Sequence, residues 1–222
     1  MERLEKLQVL RNLMTEKGVD AYIIPSSDPH QNEYIPPCWQ FRSWISGFTG
    51  SAGTIVVTAD FAGLWTDSRY FLQAENQLKG SAIELVKLRI PHTPEHVPWL
   101  ASNLAPNSKV GIDDRFFSLG MVQYMKETLS GAGHQLITGI DLLTPIWIDK
   151  PSLPDNPVFE HHLKFSGISR VEKINKVAEV LNSTGAGYHL IATLDDIAWL
   201  LNLRGADISF CPVFISYSWR YY

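Results

Sequence analysis

Residues 43–74 read SWISGFTGSAGTIVVTADFAGLWTDSRYFLQA, and their order of residue types decides the fold. Gly47, Gly50 and Gly53 recur at intervals of three and give a backbone that turns sharply and approaches another surface closely. Thr54–Thr58 is β-branched and strand-like, a tight turn at Asp60 follows, and Ala62–Trp65 is a second strand, so the pair is expected to form a hairpin. Asp67 and Arg69 follow that strand directly, where an α/β protein presents polar groups to a crevice. Two roles stay open for Arg69: an internal ion pair with Asp67, or a fork onto the carbonyl or carboxylate of a ligand.

Upstream, Leu4, Leu7, Leu10, Leu13 and Met14 lie on one face at helical spacing, and Gly18 is placed to stop the helix. Ala21–Ile24 is a short apolar strand ended by Pro25. Residues 26–37 form a polar, proline-punctuated loop, and a short helix is expected from Cys38 to Ile45. Downstream, helices are expected at 68–78, 95–104 and 118–129, with strands at 83–88, 110–112 and 136–137. Helices alternating with strands indicate α/β, and the hairpin makes the sheet mixed. Pro145, Pro151, Pro154 and Pro157 then crowd one segment. They place a first domain over residues 1–150, a linker over 151–157 and a second domain over 158–222.

The second segment repeats the first. Arg170-Val-Glu-Lys-Ile174 follows Arg3-Leu-Glu-Lys-Leu7, and at the same offset Gly185 matches Gly18, Ile191 matches Ile24 and Asp195 matches Asp28. With a shorter insertion, Trp199 and Gly205 match Trp44 and Gly50. Shared downstream order indicates duplication of one α/β unit. The second copy has only 17 residues after Gly205. Pro212–Tyr217 is expected to form one strand of an unfinished hairpin, and Ser218–Tyr222 carries no helix or strand pattern. The second domain therefore reads as truncated.

The 222 residues carry 19 Lys and Arg against 23 Asp and Glu, a net charge of -4, which speaks against a nucleic-acid partner. Glu2, Glu5 and Lys6 interrupt any signal-peptide core, and no run of about 18 apolar residues exists to cross a membrane, so the expected location is cytoplasmic. Cys38 and Cys211 read as thiols in a reducing compartment. His92-Thr-Pro-Glu-His96 fits the H-x-x-E-H zinc signature. Pro94 biases Thr93 away from helix, so a helix N-terminus with solvated histidines is expected instead. His161-His162 reads as a surface pair, and His30 with Asp28 and Glu33 as turn formers. No phosphate-binding loop, dinucleotide fingerprint or nucleophile elbow is present.

Several motifs together carry a resemblance. Tyr22-Ile-Ile-Pro-Ser26, Asp28, His30-Gln31, Glu33-Tyr34-Ile35, Ser46-Gly47-Phe48, Gly50-Ser-Ala-Gly-Thr54, Trp65-Thr-Asp67 and Arg69-Tyr-Phe-Leu-Gln73 are similar to the N-terminal domain of the three-domain Xaa-Pro aminopeptidases (aminopeptidase P). Thr193-Leu-Asp-Asp-Ile-Ala-Trp-Leu-Leu-Asn-Leu-Arg-Gly205, Asp207 and Pro212-Val-Phe214 resemble that family's second domain. The resemblance implies two tandem creatinase N-terminal-like (ribonuclease H-like) domains. It implies a further pita-bread domain in which two Asp, one His and two Glu hold two divalent metals, usually manganese. None of those ligands is expected in this chain, so its catalytic and metal residues are none, and it is expected to be inactive alone. The resemblance gives Arg69, in the T-D-x-R motif, a role in binding a peptide with proline at its second position. It further implies that the first domain shapes the peptide entrance and aids homodimerisation. The rival reading is a stand-alone, peptidase-like binding module without catalysis.

Overall fold

The computed structural model describes residues 2–221, with the side chains of 2–218. Two compact units are present, one comprising Met1–Glu33 with Pro37–Pro151, the other Ser152–Tyr222 with Tyr34–Pro36.

The first unit is a six-stranded sheet covered on both faces. Its strands are β1 (Ala21–Ile24), β2 (Thr54–Thr58), β3 (Ala62–Thr66), β4 (Glu84–Lys87), β5 (Lys109–Ile112) and β6 (Gln135–Ile137), in the order β4-β3-β2-β1-β5-β6. The β2–β3 hairpin pairs Thr54 with Trp65 and Val57 with Ala62. β2 is antiparallel to both neighbours, while β1–β5, β5–β6 and β3–β4 are parallel pairs. Five strands therefore end at one common edge.

Alternation along each strand sorts side chains between the two faces. Tyr22, Ile24, Ile55, Val57 and Leu64 pack with Leu7, Leu10 and Met14 of α1 (Arg3–Lys17) and Phe41 and Ile45 of α2 (Phe41–Ser46). On this same face lies Ala74 of α3 (Phe71–Gln77). Ala21, Ile23, Val56, Trp65 and Ile112 face the other way, onto Val97 and Leu100 of α4 (His96–Asn103) and Met125 and Leu129 of α5 (Leu119–Gly131). Of the proposed α1 stripe, Leu4 lies outside the core and is exposed.

The second unit contains β7 (Phe159–Glu160), α6 (Leu163–Ser166), α7 (Arg170–Thr184), β8 (Tyr188–Ile191), α8 (Leu194–Leu201), β9 (Leu203–Arg204) and β10 (Ser218–Tyr221). The repeat is visible in the helix ends. α1 and α7 each run 15 residues and each stops at a left-handed glycine, Gly18 at φ 66° and Gly185 at φ 70°. Asp195 departs from its counterpart: it sits in the first turn of α8, whereas Asp28 lies in a loop. Two expectations are corrected here. Residues 212–217 carry no strand, and Ser218–Tyr221 forms one, antiparallel to β8 with Ser218 opposite Ile191. The pairing is satisfied by β8, about thirty residues away, so the tail's own pattern does not reveal it. Tyr222 lies outside the described residues.

Candidate functional site

The common strand edge of the first unit gathers the polar loops. The glycine turn is bound to the end of β3 and the segment after it by specific contacts. Thr66 Oγ1 donates to the Ala52 carbonyl at 2.6 Å, Ser51 Oγ and the Tyr70 hydroxyl are 2.7 Å apart, and the Phe48 and Tyr70 rings meet edge to face at 6.0 Å. Gly47 adopts φ 75° to cap α2, and a Cβ on Gly50 would strike the Phe48 and Tyr70 rings.

Asp67 opens a 3-10 turn, Ser68–Tyr70, and its carboxylate accepts from the Arg69 backbone N–H at 3.1 Å. The Arg69 side chain forks back onto it, Nε to Oδ1 and Nη2 to Oδ2, both at 2.8 Å. The fork holds Asp67 below the usual carboxylate range and raises the Arg69 pKa. Asp67 is only 2% exposed, whereas the Arg69 side chain is 54% exposed. Nη1 has no hydrogen-bond partner among the described residues. The internal ion pair is thus present, and one edge of the same guanidinium still faces outward.

A second corner of the same build was not read from the sequence. Asp113 follows β5, opens the 3-10 turn Asp114–Phe116 and accepts from the Arg115 backbone N–H at 3.3 Å. Arg115 Nε donates to Asp113 Oδ1 at 2.8 Å and Nη2 to Oδ2 of the same residue. Arg115 Nη2 also reaches Asp141 at 2.7 Å. The guanidinium lies 5.5 Å from the next ring, Phe116, as Arg69 lies 5.3 Å from Tyr70. The signal was available as the recurring Asp-x-Arg-aromatic tetrad, Asp67–Tyr70 and Asp113–Phe116.

Between the corners lies a cleft of about 440 Å³ whose lining includes Asp67 and Phe116 as well as Trp65, His96 and Met121. His96 was expected in solvent, but it is 6% exposed, with its ring edge to face on Trp65 at 6.3 Å. Burial pushes its pKa down to about 4, so the imidazole is neutral near pH 7. His92 sits outside the helix in a turn at φ 62°, and the Glu95 carboxylate closes that turn by accepting from Arg89 N and Ile90 N at 3.0 Å each. The H-x-x-E-H spacing therefore builds no shared helical face.

His30, His161 and His162 lie within local turns and ring contacts. Asp28 Oδ1 accepts from the backbone N–H of His30 at 2.9 Å and of Asn32 at 3.0 Å. His162 Nδ1 accepts from Lys164 N at 3.1 Å at the start of α6, and His161 stacks on Phe165 at 5.9 Å. Among the described residues no group of three His, Cys, Asp or Glu is placed to hold a metal ion, and no helix is long and apolar enough to cross a membrane.

Residues 6–142 match the family model of the creatinase/prolidase N-terminal domain, and residues 149–220 match a second model of the same description. Aminopeptidase P2 of Arabidopsis thaliana is 44% identical over 218 residues, which cover 96% of this chain and 31% of that protein. Xaa-Pro aminopeptidase 1 of Dictyostelium discoideum is 41% identical over 222 residues, covering 96% of this chain and 35% of that protein. The chain thus spans about a third of the length of the curated relatives it matches. The crystal structure of an X-prolyl aminopeptidase from Caenorhabditis elegans, described as a cytosolic enzyme with a di-nuclear active site, superposes with a TM-score of 0.92 at 33% identity, over 100% of this chain and 38% of that one. With both of its segments matched and its two α/β units in place, the chain belongs to the creatinase/prolidase N-terminal domain family.

Proposed function

We propose that this chain is the non-catalytic front portion of an Xaa-Pro aminopeptidase-like metallopeptidase. The observation that carries this reading is its superposition, over its whole length, on 38% of the Caenorhabditis elegans enzyme. In the full-length protein the first domain, residues 1–150, shapes the peptide entrance and supports homodimerisation, and residues 158–222 begin the second. Arg69 offers its outward edge to a peptide bearing proline at the second position, while Asp67 fixes the guanidinium plane. The relative's description as cytosolic supports a cytoplasmic setting.

A dinuclear metal centre activates water by lowering its pKa, and it needs a surrounding set of carboxylates and imidazoles. Among the described residues no three His, Cys, Asp or Glu side chains converge, so the residues present do not fit that group, and no step is assigned to this chain. The two divalent metals, manganese on this reading, belong to a further domain. The test is an assay of the purified 222-residue chain with an X-Pro-Pro peptide and added manganese. No release of the first residue is expected. Turnover abolished by a chelator would overturn the proposal.

A further inference from the structure

The two Asp-x-Arg corners are the same device at two places on one edge. β3 and β5 are parallel to β1, so both corners project from the carboxyl ends of their strands. In each, a bidentate carboxylate fixes the guanidinium plane, the following ring lies beside it, and the side chain stays about half exposed, 54% for Arg69 and 58% for Arg115. Nη1 of each has no hydrogen-bond partner among the described residues. Each arginine is therefore held rigid and keeps an N–H edge for something else, which reduces the entropy lost on contact.

The spacing selects the ligand. Two strands separate β3 from β5, which sets the corners about 14 Å apart at about 4.8 Å per strand. An extended chain covers that distance in about four residues. Charge selects the acceptor. Asp113 and Asp141 both contact Arg115, and Asp114 is adjacent, so a free carboxylate is disfavoured there and a neutral carbonyl is suited. The cleft between the corners, with Trp65 and Met121 in its lining, has room for an apolar side chain.

We propose that Arg115 is a second peptide-contacting arginine, and that the two corners grip an extended peptide through two main-chain carbonyls about four residues apart. This rests on the reading of Arg69 as a peptide contact. It implies a preference for longer peptides that the Arg69 contact alone does not produce.

The test is an NMR titration of the full 222-residue chain, observing the arginine Nε–H resonances. The probes are amidated tri- and heptapeptides with proline second and phenylalanine third. The heptapeptide should shift both the Arg69 and Arg115 resonances, and the tripeptide only one of them, that of Arg69. Arg115→Lys keeps the charge and loses the fork, and should weaken heptapeptide binding about fivefold while leaving the tripeptide unchanged. Arg115→Gln serves as a second variant, and far-ultraviolet circular dichroism verifies that each is folded. If Arg69 responds and Arg115 does not, Arg115 is only a structural tie and the proposal falls while the Arg69 reading stands. If Arg115 alone responds, the Arg69 reading falls and the two-point grip with it. If neither responds at millimolar peptide, both fall.

Discussion

Arg42 Nη1 donates to the Ser26 hydroxyl at 2.6 Å, joining the first helix after the polar loop to the end of β1. Arg42 Nη2 donates to the Gly50 carbonyl, and the guanidinium lies 5.0 Å from the Phe48 ring. The side chain is buried, and among the described residues no carboxylate pairs with it. Burial lowers its pKa to about 10, which leaves it charged at neutral pH. Two acceptors on different loops suit a planar fork and not a single ammonium. Arg42→Lys is expected to cost about 2 kcal/mol in urea denaturation, the worth of a hydrogen bond to a charged group. An unchanged midpoint would refute this tie.

Acid should weaken the first unit through His96. An ordinary histidine has a pKa near 6.5, and burial lowers this one to about 4. Between those values the unfolded chain binds a proton that the folded chain refuses. Stability is therefore full above about pH 6.5 and falls as pH drops toward 4, by at most roughly 3 kcal/mol. His96→Leu should flatten the curve of urea midpoint against pH in that window. Parallel curves for both proteins would count against it.

Lys173 Nζ donates to the Trp199 carbonyl at 2.8 Å and to Asn202 Oδ1 at 2.6 Å, and lies 4.4 Å from the Trp199 ring. Asn202 in turn donates to the Ile168 carbonyl at 2.9 Å and caps α8 at φ 52°. Desolvation lowers the lysine's pKa. Lys173→Met should destabilise the α7–α8 pair by about 2 kcal/mol. Hydrogen exchange is the appropriate measurement, with faster exchange across 170–204 and unchanged protection in β1, β2 and β5.

Two glycine substitutions should move in opposite directions. Gly50→Ala drives a methyl into the Phe48 and Tyr70 rings and should cost about 1–3 kcal/mol. It should also displace the Arg69 Nε–H resonance. Gly120→Ala, with nothing within 4 Å of the added atom in α5, should leave stability unchanged or raise it by about 0.5 kcal/mol. Equal thermal midpoints for the two variants would contradict the close approach at Gly50.

The amino-acid sequence by itself determined what short-range chemistry dictates. The apolar spacing of α1, the glycine stops at Gly18 and Gly185 and the β-branched run of β2 are local signals, and apart from the exposed Leu4 each stands in the structure where the pattern places it. The family, too, was legible, because its motifs are contiguous residues with ordered spacing. Long-range placement was not. His96 carries no mark of burial beside three prolines; only the packing of α4 against Trp65 takes it out of water. Ser218–Tyr221 becomes a strand because β8 supplies its hydrogen bonds. Arg69 and Arg115 are 46 positions apart in the sequence. They become a pair on one edge because β2 alone runs antiparallel, which turns the ends of β3 and β5 to the same side. Strand order and direction are set by hydrogen bonds between distant segments, and those belong to the tertiary structure.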